Sequence, residues 1–247
     1  MIVGGQKLSA EQTGIMLRFA KVFQQTYTRF NDLQKAEAQA REAKIESALE
    51  KVRSRSLAMH KSDELNEVVA VVFEKLKGLQ IPFTAVAICI YIDGSKDLNV
   101  FVCGENEAGL VINSYRLPYF NHKIQKDFSE AREKNLDFFV GHYSKEEKNS
   151  FYEYLFENIS EFKQLPDDIK RMIFESPLYS ITMVAANKAE FAIEDFEGKH
   201  LLENEVVIIK RFAKVFDQTY TRFLDLQKSE FQTHQAKIES VQDQRRR

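Results

Sequence analysis

Apolar and small side chains at Phe19, Phe23, Thr26, Phe30 and Leu33 follow one another in steps of four and three, which puts them on a single stripe of a helix. Ser9 with Gln12 supplies a capping box just upstream, so the helix is expected to begin there, after a glycine-containing stretch (residues 1–8) that resembles the end of a strand. Ala36, Ala38, Ala40 and Ala43 favour continuation. Ile45, Leu49, Val52 and Met59 then resume a stripe on another side of the helix, so the register shifts and one uniform supercoil is not expected. The pattern breaks at His60 and Lys61. Ser62 followed by Asp63 and Glu64 reads as a new N-cap, and Leu65, Val68, Val69, Val72, Phe73 and Leu76 give a second helix a wide apolar face suited to packing on a sheet, with Gly78 placed to end it.

The period then changes from helical to alternating. Ile88, Ile90 and Ile92 alternate with Ala87, Cys89 and Tyr91, and the turn residues 93–97 precede Leu98, Val100 and Val102, so a β-hairpin is expected over 85–93 and 98–104. Further strands are expected over 111–117, 136–143 and 178–185, with a turn near Asn187 leading into a last strand at 190–193. Between them, Asn121 is expected to cap a helix to about Lys134, Ser144 a single helix over 145–162, and Pro166 to start a short one. From about Glu194 the chain reads as helical to its end. Leu202, Ile209, Phe212, Phe216, Thr219, Phe223 and Leu226 form a seam there, and Leu224, Phe231 and Ile238 take over.

The two long helices share their words. Residues 211–240, RFAKVFDQTYTRFLDLQKSEFQTHQAKIES, repeat residues 18–47, RFAKVFQQTYTRFNDLQKAEAQAREAKIES, with about three-quarters of positions identical and no gap, an internal repeat. The chain thus reads as leading helix (1–61), globular module (62–196) and exit helix (197–247), an α+β pattern of antiparallel sheet flanked by helices. Each buried phenylalanine of a seam contributes on the order of 1.5–3 kcal/mol. The seam must therefore find its own domain or a second chain, and a parallel homodimer through Phe19, Phe23, Phe30, Phe212, Phe216, Phe223, Leu226 and Phe231 is the expectation.

Composition narrows the partners. Thirty-five basic against 37 acidic residues leave a net charge of -2, which favours neither nucleic acid nor an anionic membrane, and Arg245, Arg246 and Arg247 read as a solvated helix end. Two cysteines, Cys89 and Cys103, both in apolar runs, suit packing in a reducing cytoplasm. No apolar run approaches the roughly 20 residues that span a bilayer. Glycine-rich phosphate loops, a nucleophile elbow and i, i+4 histidine pairs are missing, so neither an enzyme, a metal site nor a cofactor is expected. The richest polar-aromatic stretch is Tyr115-Arg116-Leu117-Pro118-Tyr119-Phe120-Asn121-His122. There Arg116 can hold an anionic ligand in a bidentate contact, or the aromatics are core and the arginine is surface. His142, at a strand end after Gly141, is the other candidate pocket residue, or a hydrogen-bonded edge histidine.

Asn187-Lys188, Phe191, Asp195 and the apolar run into Ile209, Phe212 and Ala213 resemble the end of a GAF domain. The words RFAKVF, QTYTRF, DLQKAEAQ and IESALEKVRSRSLAMHKSDEL resemble connectors between GAF-like modules of bacterial signalling proteins. The resemblance implies a sensor module feeding a histidine kinase, nucleotide cyclase or phosphatase output domain, and it places Tyr91, Phe101 and Phe139 around the same ligand concavity. Four of the five letters of the cyclic-nucleotide signature are present, with Phe196 standing where that signature has Glu, and the four can equally tie the last turn to the exit helix. The setting of Cys103 does not resemble a bilin attachment site. A structural dimerisation spacer with a dead pocket is the alternative function.

Overall fold

A computed structural model of the chain describes residues 9–246, and the side chains of these except residues 230, 231 and 233–246. The strand end expected at residues 1–8, and the side chains of Phe231, Ile238 and the terminal arginines, lie outside the described residues. The chain divides into two compact units, with the division between Glu46 and Ser47. In the first, α1 (Ala10–Leu57) begins as the capping box requires: Gln12 N donates to Ser9 Oγ at 3.2 Å and Ser9 N to Gln12 Oε1 at 2.9 Å. Its stripe, Phe19, Val22, Phe23, Tyr27, Phe30 and Leu33, is exposed.

The second unit holds the end of α1, a 3-10 turn at Ser62–Glu64, and α2 (Leu65–Gly78). Six strands follow, β1 (Ala85–Tyr91), β2 (Leu98–Asn106), β3 (Gly109–Leu117), β4 (Phe138–Ser144), β5 (Leu178–Ala185) and β6 (Ala189–Asp195). They form one antiparallel sheet in the order β3-β2-β1-β6-β5-β4. Four helices, α3 (Lys123–Glu133), α4 (Lys145–Asn158), α5 (Ser160–Lys163) and α6 (Asp167–Glu175), separate the strands, and α7 (Glu203–Arg246) leaves the sheet. The α+β architecture expected from the sequence is the observed one.

Register assigns the faces. Ser114, Phe101, Ile88, Phe191, Val184 and Phe138 form one row across all six strands, on the face covered by α2 and α7. The next residues along each strand point the other way. There Ala87, Cys89, Val100, Tyr143, Tyr179, Ile181, Met183 and Ala192 pack with Phe151, Tyr152, Leu155, Phe162 and Ile173 of α4–α6.

Several expected boundaries moved for local reasons. His122, not Asn121, caps α3, its Nδ1 accepting from Ile124 N at 3.2 Å. The helix expected over 145–162 ends at Asn158, because Ile159 turns extended (φ −117°, ψ 117°) to bury its side chain, and α5 restarts after it. At the end of α2 the left-handed residue is Gln80 (φ 61°), two positions beyond Gly78. The exit helix begins at Glu203 rather than Glu194, since β6 runs on to Asp195, whose Oδ1 accepts from Glu197 N (3.0 Å) and Lys199 N (2.7 Å) to close a loop.

The largest correction concerns the seam of α7. Phe212 and Phe216 are fully buried and Phe223 nearly so, with the Phe216 ring 5.5 Å from that of Phe191 on β6. On this helix the expected intersubunit stripe is an internal one, and Leu226 alone of its expected interface residues with a described side chain is exposed.

Candidate functional site

β6 is where the two faces meet most directly. Its alternation sends Phe191 and Ile193 toward α7, and Glu190, Ala192 and Glu194 toward α3–α6. Around Glu194 the sheet is built from small residues: the row Val111, Gly104, Ala85, Glu194, Ile181, Gly141 has no large side chain between Val111 and the carboxylate. The space left is a pocket of about 80 Å³, walled by Val102, Tyr115, Tyr152, Phe162, Leu165, Ile169, Met172 and Phe196. α5 and α6 form its outer side because Phe162 and Ile173 are buried beneath them.

The electrostatics of that pocket centre on one group. Glu194 Oε2 accepts a hydrogen bond from the Tyr152 hydroxyl at 3.1 Å. Burial pushes the Glu194 carboxyl above its usual range, and hydrogen bonds from Tyr152 and Tyr179 draw it partly back, with no cation in the balance. Burial and the same carboxylate hold the phenols of Tyr115, Tyr152 and Tyr179 well above their ordinary value. The result is a largely apolar, aromatic pocket with the buried carboxylate of Glu194 in its floor, Glu105 at its edge being paired with Lys77 at 2.6 Å, chemistry that suits a compact ligand with one donating or cationic end.

A second, wider cavity of about 820 Å³ opens at the end of the sheet between the β1–β2 turn, the end of α3, the β5–β6 turn and α7. Its polar groups are mostly committed to one another. Buried Glu190 accepts from the Tyr91 hydroxyl at 3.1 Å and lies 3.8 Å from Arg132, and Lys210 pairs with Asp137 at 2.6 Å. Asp217 of α7 accepts from Asn187 Nδ2 at 2.8 Å and Lys188 N at 3.1 Å, so the Asn-Lys pair of the last turn is tied to the exit helix.

The candidate ligand residues do not converge. Tyr115 lines the smaller pocket, where its ring meets Phe162 edge-on at 4.9 Å, and Tyr91 lines the wider cavity. Phe101 lies on the opposite face of the sheet, paired with Ile88 and Ser114. Arg116 is a surface residue whose Nη2 bonds Asp97 at 2.8 Å, and Tyr119 N donates to the other oxygen of that carboxylate at 2.9 Å. His122 caps α3, Phe139 packs edge-on against Phe128 at 6.0 Å, and His142 Nδ1 pairs with Ser180 Oγ at 3.2 Å on the α7 face. Glu194 and Phe196 were the residues sequence reasoning missed. The available signal was the phase of the acids in the strand 189–196, where Glu190 and Glu194 alternate with Phe191 and Ile193 and so share a face with Ala192. Among the described residues no group of three or more His, Cys, Asp or Glu is placed to hold a metal ion, and no helix is long and apolar enough to cross a membrane.

No family model and no curated protein matches the chain. Solved structures to which it is similar include GAF domains. One is the GAF domain from an Acinetobacter phosphoenolpyruvate-protein phosphotransferase, at 9% identity over 71% of this chain and 92% of that one, with a TM-score of 0.42. Another is the phycoerythrobilin-bound GAF domain from a cyanobacterial phytochrome, at 10% identity over 72% and 95% with a TM-score of 0.47. A third is the GAF domain of a two-component sensor histidine kinase from Bacillus halodurans, at 7% identity over 68% and 98% with a TM-score of 0.39.

Proposed function

We propose that the chain is a GAF-like sensory relay module of the cytoplasm, without catalytic activity, in which a small ligand beside Glu194 sets the seating of α7. The observation that carries this reading is that β6 has the smaller pocket on one face and the exit helix on the other. A ligand that moves Glu194 or Phe196 acts on the strand against which Phe216 packs, and on the loop that feeds α7. The connector words of the sequence support a relay. In the full-length protein the exit helices would pair in a homodimer beyond Leu226 and hand the signal to an output domain such as a histidine kinase or cyclase.

The ligand that fits is a small organic cation, an amine with apolar substituents. Its charge would meet a carboxylate that has no cationic partner, and its carbons would meet the rings of Tyr115, Phe162 and Phe196. Thermal-shift screening with a panel of alkyl and aryl amines, followed by hydrogen exchange on α7, tests both halves. Binding that disappears in Glu194→Gln and alters α7 exchange is expected. A chain whose α7 exchange is indifferent to pocket occupancy would instead be the structural dimerisation spacer, a reading favoured by the small size of the pocket and the aromatic filling around it.

A further inference from the structure

The same apolar words stand twice in this chain in opposite surroundings. Over the sixteen positions from Arg211, α7 differs from α1 only where Asp217 and Leu224 replace Gln24 and Asn31. On α7, Phe212 and Phe216 are 0% exposed and Tyr220 and Phe223 5%. Their counterparts on α1, Phe19, Phe23, Tyr27 and Phe30, are 72%, 71%, 57% and 52% exposed. The polar side is shared as well, with Lys21, Gln25, Arg29 and Asp32 exposed like Lys214, Gln218, Arg222 and Asp225. Even the local bonds agree: Thr26 Oγ1 donates to Val22 O at 2.9 Å, as Thr219 Oγ1 does to Val215 O at 3.1 Å.

We propose that the Phe19–Phe30 face of α1 is a docking surface for a second sheet module built like this one, seated on it as β5 and β6 are seated on α7. The width of the face favours a sheet over a partner helix. On α7 the buried positions from Phe212 to Phe223 span an arc of about 200° at 100° per residue, broader than the seam of a two-helix coil. The partner is an antiparallel sheet whose last hairpin presents an aromatic residue where Phe191 meets Phe216. The contact with its last turn differs on the helix side at one point, where Gln24 stands in place of the Asp217 that accepts from Asn187 and Lys188 and offers an amide oxygen without charge. The inference is independent of any ligand in the pocket.

Two polypeptides test it. The full chain carrying Asp217→Gln and Leu224→Asn has the α1 words on its exit helix, and it should unfold cooperatively with a Tm within about 5 °C of the parent. The second is a tandem in which residues 1–210 of one copy run directly into residues 18–247 of another, so that α1 of the downstream copy replaces α7 of the upstream one. Amide exchange over residues 18–33 of the downstream copy should be slower than over the same residues of the single chain by about a hundredfold or more, matching residues 211–226. Exchange over 18–33 of the downstream copy that stays as fast as in the single chain overturns the proposal, and the tandem decides this even where the double substitution weakens the turn contacts. So does a single chain in which Phe23→Cys forms a disulfide dimer with 18–33 already protected, because the face would then be covered by α1 of a second copy.

Discussion

Gly141 is held by its neighbour two residues on. A methyl group built at position 141 would lie 2.6 Å from the ring and hydroxyl of Tyr143, a side chain that is 2% exposed and donates to Asp127 at 3.1 Å. Gly141→Ala should therefore cost about 1–3 kcal/mol by overpacking, read as a lower midpoint in urea at unchanged slope; no change would mean that the ring has room to swing. Glu194 gives a pH prediction. Its carboxyl is raised in the folded chain above the unfolded value of about 4.3. The folded state then binds more protons than the unfolded one between those two values, and stability falls as pH rises through the folded pKa. The contribution is fully present below the unfolded value and is lost as pH rises through the folded one. Glu194→Gln, whose amide oxygen still accepts from Tyr152, should exceed the parent in Tm at pH 7 and converge with it toward pH 4. Parallel pH profiles for the two proteins would show that the carboxylate is not destabilised by its surroundings.

At the scale of the element, the two copies of one stripe separate propensity from burial. Phe216→Ala should cost about 3–5 kcal/mol because it opens a cavity against Phe191, whereas Phe23→Ala in the single chain should change stability by less than about 0.5 kcal/mol. Denaturant titration of both variants settles the contrast, and equal losses would mean that α1 is covered in solution. The contrast also explains what the sequence made legible. Stripe spacing revealed both long helices, and alternation revealed the strands around Ile88 and Val100, because periodicity belongs to the segment itself. What covers a stripe belongs to the rest of the fold, so Phe212 and Phe216 read as a subunit seam although their own sheet takes them. Caps failed for a related reason: His122 and Asn121 both have acceptors, and tertiary packing chooses between them, His122 also bonding Ser150 across to α4 at 3.0 Å. The pocket was least legible, since its floor is a row of residues from β3, β2, β1 and β6 that only register brings together, and of the arginine-and-aromatic stretch only Tyr115 lines it.

For the whole molecule, the burial of α7 as far as Phe223 restricts where two copies can meet. Exit helices that pair must do so beyond the sheet, from Leu226 onward, where a large apolar side chain is 55% exposed. The native thiols will not interfere with a cysteine test, because Cys89 and Cys103 are buried, and burial with the nearby Glu74 and Glu105 pushes the Cys103 thiol up to about 12. Leu226→Cys should then give an intersubunit disulfide under mild oxidation, while Phe216→Cys and Phe223→Cys should give none. Light scattering before oxidation would show whether the pairing pre-exists. If position 226 stays reduced and the mass is that of one chain, the exit helices do not pair, and a relay would have to run through the covered part of α7 alone. If 216 or 223 cross-links instead, α7 leaves its sheet in solution. The pocket face and the helix face of β6 would then be uncoupled, and the proposed route from Glu194 to the output domain would fail at its second step.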